Sequence, residues 1–191
     1  MKRTVLLIAC LALAPVLALA AGDLPAGWIK AGTNPADYEM GIDAATRHNG
    51  RPSAFVKFTA KEVHGFGTLM QQSGPGEYLG KRVRFSAFVK SENISNGWAG
   101  LWLRIDGPKP YEPLGFDNMQ GRPIKGTTDW KHVEIVLDVP QGAQALAFGV
   151  LLFGDGEVWM DDLKFEIVSK DVPTTNVMTG SKGPSNLNFE K

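Results

Sequence analysis

From residue 53 onward, short apolar runs alternate with polar residues in steps of two, and turn-forming residues close nearly every run. A period of two belongs to a strand with one buried face, not to a helix. In Arg82–Ser91, Val83, Phe85, Ala87 and Val89 fall on one face, and Arg84, Ser86, Phe88 and Lys90 on the other. In Ala99–Asp106, Leu101, Leu103 and Ile105 share a face opposite Gly100, Trp102, Arg104 and Asp106. Further strands are expected at 53–58, 67–72, 132–139 and 157–168, and 145–153 is apolar throughout, as for a strand buried on both sides. The 22 glycines and 12 prolines supply the breaks. Six or seven such strands with frequent turns predict an all-β fold, an antiparallel two-sheet β-sandwich of the jelly-roll kind.

Residues 1–20 carry a different signature. Met1-Lys2-Arg3-Thr4 is basic, Val5 to Ala14 is apolar and uncharged, and Ala18-Leu19-Ala20 is a small-x-small cleavage site. That order is the pattern of a cleavable export leader. The stretch is short for a membrane span, which needs roughly 20 apolar residues. Leu7-Ile8-Ala9-Cys10 loosely resembles a lipoprotein processing box, but more apolar residues follow Cys10 where a polar tether belongs. The expectation is a periplasmic or secreted protein with no membrane contact after cleavage. The sandwich domain would occupy 21–168, and 169–191 would form a polar, flexible or surface-hugging tail.

Cys10 is the sole cysteine. Cleavage after Ala20 would remove it, and with it disulfides, thiolate metal sites and cysteine nucleophiles. The 20 basic residues include Lys2 and Arg3, so the exported chain would carry 18 against 20 acidic ones. That near-neutral balance gives no footprint for nucleic acid.

Three segments resemble the galactose-binding-domain-like jelly rolls, a superfamily that includes carbohydrate-binding modules. Tyr78-Leu79-Gly80-Lys81 leading into Arg82–Lys90 is similar to their turn and middle strand. Thr127–Leu137 around Trp130 is similar to a later strand, and Gly156–Phe165, with Val158-Trp159-Met160-Asp161-Asp162, to the closing strand. The order and spacing fit across roughly residues 37–168. The resemblance implies the fold; function is the property of a site, since one fold hosts many functions.

Sugars bind by laying C–H faces on aromatic rings while polar groups fix the hydroxyls. Trp98, Trp102, Arg104 and Asp106 on one strand face supply both parts, and Arg84 would line the neighbouring strand. Alternatively, Trp102 is core and Arg104 pairs with a carboxylate. Gln71 at a strand end and Asp117 in the polar loop after Phe116 are further ligand candidates; an Asx turn is the alternative for the loop. The resemblance also implies a structural calcium, with Asp162 of the closing strand joined by Glu39 and Asp43. Calcium wants several oxygens, more than these supply. No cofactor is otherwise called for. His48, His64 and His132 lack metal-ligand spacing and read as surface or turn residues. No recognised catalytic motif is present. The expected function is therefore a non-catalytic exported binding module for a glycan or small polar ligand. The alternatives are a protein-interaction or sensory accessory of the cell envelope, or a cryptic glycan hydrolase or lyase.

Overall fold

A computed structural model describes residues 23–110 and 112–178. The expected export leader with Cys10, and the residues beyond 178, lie outside the described residues. The strands are β1 (Ile29–Gly32), β2 (Tyr38–His48), β3 (Arg51–Phe58), β4 (Phe66–Ser73), β5 (Arg82–Asp106), β6 (Pro113–Asp117), β7 (Ile124–Asp138), β8 (Ala145–Gly154) and β9 (Glu157–Val168). Every pairing is antiparallel. No helix among the described residues is long and apolar enough to cross a membrane.

The strands form one hydrogen-bonded network that curls into two layers because both share β5. Residues 82–94 of β5 pair with β7 and β9, in a back sheet ordered β7-β5-β9-β3-β2. Residues 97–106 pair with β8 and β6, in a front sheet ordered β1-β4-β8-β5-β6. The crossing falls where Gly97 lies opposite Gly154. Both adopt positive φ, 148° and 98°, and a Cβ on Gly97 would stand 1.9 Å from the Phe153 carbonyl oxygen. Asp155 braces the bend: its carboxylate accepts from the N–H groups of Ser95 and Asn96, both at 2.8 Å, and from the Ser95 hydroxyl.

The core lies between the layers. Val83, Phe85, Ala87 and Val89 point in from the back half of β5, and Leu101, Leu103 and Ile105 from the front half, all fully buried. Phe85 stacks on Phe165 at 4.7 Å, and Phe148 meets Phe165 edge-on at 4.8 Å. The alternation in sequence thus marks the inward faces correctly.

The strand count rises to nine among the described residues. The two expected strands 82–91 and 99–106 are one strand of 25 residues. β1 and β6 are short edge strands, and β2 buries Tyr38 and Met40 but then exposes much of its second half. Residues 175–177 lie against β6 and β7: Thr175 N–H donates to the Val136 carbonyl at 2.8 Å, and Val177 N–H to that of Phe116 at 2.9 Å.

Candidate functional site

The outward face of the front sheet holds a groove of about 450 Å³. Alternation assigns its walls. β4 contributes Phe66, Thr68 and Met70; β5 contributes Trp98, Trp102 and Arg104; β8 contributes Leu151 and Phe153; β6 contributes Phe116, followed by Asn118. A second apolar cluster, separate from the interlayer core, joins Trp102, Ala147 and Leu151 with partly buried Phe66, Met70, Trp98 and Phe116.

Room for the groove comes from small residues. Gly149 lies opposite Trp102 on one side and Met70 on the other. A Cβ there would meet the Leu69 carbonyl oxygen at 2.1 Å. Gly100, on the same face of β5, lets the Asn118–Met119 segment pass over it; a Cβ would lie 2.9 Å from that of Met119.

Trp102 forms the floor. It is only 7% exposed. Its indole N–H donates to the Thr68 hydroxyl at 2.7 Å, and that hydroxyl donates to the Val150 carbonyl at 2.8 Å. Trp102 thus lines the groove and is at the same time nearly buried in a local apolar cluster. The half-buried Trp98 and Phe116 and the exposed Phe153 offer more ring surface. Arg104 reaches the groove with its charge matched, since Nε lies 2.6 Å from one oxygen of Asp106 and an Nη 3.0 Å from the other. Among the described residues, no carboxylate lines the groove.

The structure does not bring the remaining candidates to this place. Arg84 lies on the outside of the back sheet, with Nε 3.0 Å from Glu134. The cause is the crossing in β5, which puts its two outward faces on opposite sides of the sandwich. Gln71 falls on the other side of β4 from Met70, and its amide donates to the Gly27 carbonyl. Asp117 has no exposed surface. It accepts from Met119 N–H at 2.8 Å and pairs with Arg122 at 2.7 Å, closing the Asx turn. The neighbouring Asn118 accepts from Gln120 N–H and lines the groove.

Nor do Glu39, Asp43 and Asp162 meet. Asp43 accepts from the Trp159 indole at 2.9 Å and from Ala45 N–H at 2.8 Å. Burial pushes its carboxyl up, but hydrogen bonds from Thr46, Ala45 and Trp159 outweigh this and hold it below the usual range. Glu39 sits on β2 opposite Lys57. The potential ligand group among the described residues joins Asp162 with Asp161 and His48 instead. His48 is not a surface histidine, being 11% exposed and packed against Phe88 and Trp130.

A separate hollow of about 360 Å³ gathers Glu92 and Glu157, paired across β5 and β9, with Lys57 and Phe58. Burial raises the Glu157 pKa against the opposing pull of Lys57, whose amine is 3.3 Å away.

No family model matches the chain. Over 169 residues it is 45% identical to a protein of Bacillus subtilis (strain 168) described as an uncharacterized HTH-type transcriptional regulator, YbfP. That match takes in 86% of this chain but spans only 57% of the curated relative. Among solved structures, the enzymatically active domain of bacteriophage CBA120 tailspike protein 4 aligns with TM-score 0.56 and 11% identity, over 75% of this chain and 20% of that one. The CBM22-1 xylan-binding domain from Paenibacillus barcinonensis Xyn10C aligns with TM-score 0.55 and 12% identity, over 78% of this chain and 90% of that domain. At such identities the likeness is one of fold, and the chain has the antiparallel β-sandwich fold of carbohydrate-binding modules.

Proposed function

We propose that the chain is an exported, non-catalytic carbohydrate-binding module that takes sugar rings into the groove on its front sheet. The observation that carries this reading is the aromatic groove itself, where Trp98, Phe116 and Phe153 stand around Trp102 beside the polar Arg104 and Asn118. Its volume falls within the range of ligand pockets, roughly 300–1,000 Å³. The fold shared with a xylan-binding domain supports it. Arg104 is balanced by Asp106, which favours neutral sugars over anionic ones. Among the described residues, the groove's lining holds no pair of carboxylates of the kind a glycosidase places about 5–10 Å apart across its cleft.

A glycan array followed by calorimetric titration tests the proposal. Trp98→Ala is the informative variant, because Trp98 is partly exposed and its loss leaves the interlayer core alone. Loss of a stacking ring should cost about 1–3 kcal/mol by analogy with other aromatic stacking, roughly a fivefold to hundredfold weakening. No glycan bound by the parent chain, or equal binding by Trp98→Ala, defeats the reading.

The regulator match favours a second reading, a sensory module for a small polar ligand. A transcriptional regulator needs a part that recognises a signal, and a related segment makes up 57% of that protein. Binding of free mono- or disaccharide with no affinity for polymer would favour the sensor.

A further inference from the structure

The back sheet holds a cluster for which the groove has no use. His48 ends β2, and Asp161 and Asp162 are consecutive in β9. Successive strand residues ordinarily point to opposite faces. Here the register between β5 and β9 shifts between Ser86 and Phe88, and Asp162 takes φ 52°, so both carboxylates turn toward His48. His48 Nδ1 lies 3.4 Å from Asp161 Oδ2 and 3.1 Å from Asp162 Oδ2. The imidazole is fixed by ring contacts to Phe88 at 4.3 Å and Trp130 at 5.0 Å. Asp161 Oδ2 is buried and, beyond its 3.4 Å approach to His48, makes no hydrogen bond. A buried carboxylate oxygen without a hydrogen bond is rare in native folds and points to an ion or water.

We propose that His48, Asp161 and Asp162 form a site for a divalent transition metal of the zinc type. Tetrahedral zinc, with nitrogen and oxygen ligands at about 2.0–2.2 Å, sets neighbouring donors about 3.3–3.6 Å apart. The contacts from His48 Nδ1 lie close to that separation. One imidazole with two carboxylates suits zinc, whereas calcium takes six to eight oxygens. Asn49 donates to Asp162 Oδ2 at 2.8 Å and Arg51 pairs with the other oxygen, which orients the carboxylate from behind. The bound ion ties the β2–β3 turn to the closing strand.

The full chain, stripped with a chelator, is titrated with zinc and separately with cobalt(II). One zinc per chain should bind, and cobalt should show the strong visible absorption of a tetrahedral site. His48→Phe keeps an aromatic ring between Phe88 and Trp130, and Asp161→Asn keeps the side-chain shape. Each should weaken zinc binding at least about tenfold, since even outer-shell changes cost that much. Circular dichroism confirms that each variant is folded. Equal zinc affinity in both folded variants, no zinc binding by the folded parent, or calcium binding in place of zinc overturns the proposal.

Discussion

The indole of Trp102 donates to Thr68, and Thr68 passes its own hydrogen to Val150, so one hydroxyl satisfies a groove residue and a core strand together. Trp102→Phe removes the donor while keeping an aromatic floor. It should destabilise the fold by about 0.5–1.5 kcal/mol, read as a lower midpoint in urea. Trp102→Ala also leaves a cavity and should cost about 3–5 kcal/mol, which makes it a poor probe of ligand binding. At this scale the residues of the groove on β5 were legible, because alternation alone assigns Trp98, Trp102 and Arg104 to the face opposite Leu101 and Leu103. Phe66, Met70, Leu151 and Phe153 were not: a large apolar side chain on an outer face looks the same in sequence as one turned inward. Asp117 misled for a related reason, since a carboxylate in a polar loop carries no mark of the Arg122 that buries it.

Strand β5 was half legible. Its two alternating segments were plain, but Glu92–Gly97 between them is polar apart from Ile94 and ends in glycine, the signature of a loop. What keeps it extended is tertiary: ladders on both sides and the Asp155 carboxylate. Asp155→Ala should cost about 1 kcal/mol, or roughly 2–4 °C in the thermal midpoint for a chain of this size. The pH dependence has a defined sign. Burial raises the Asp155 carboxyl, yet bonds from Ser95 and Asn96 bring it below its ordinary value. The Arg82 guanidinium, through its hydrogen bonds, does the same for Asp138. Carboxyls depressed on folding contribute stability that is present above the unfolded value, near pH 4, and is lost as pH falls through the folded values. Denaturant midpoints should therefore drop below about pH 4, and by less in Asp155→Ala.

At the level of the whole molecule, two layers that share one strand cannot come apart independently. Tryptophan fluorescence, which samples Trp98 and Trp102 in front and Trp159 behind, should give the same denaturation midpoint as far-ultraviolet circular dichroism, as two-state unfolding requires. Two separated transitions would show that the β5 crossing does not couple the sheets. The all-β class was open to sequence reading because period two survives in both ends of β5 and in the second half of β7, while the meeting of His48 with Asp161 and Asp162 was not, since more than a hundred residues separate them and a bulge, invisible in sequence, turns the second carboxylate.

The glycine opposite Trp102 has a consequence for how such a groove can diversify. Leu69's carbonyl oxygen occupies the space where any side chain at Gly149 would have to begin. The bottom of the groove is thereby closed to substitution, and its depth is inherited with the backbone. New preferences can be written only around the rim, at Trp98, Phe116, Asn118 and Phe153, so homologues with different ligands should diverge at those positions while glycine stays in place.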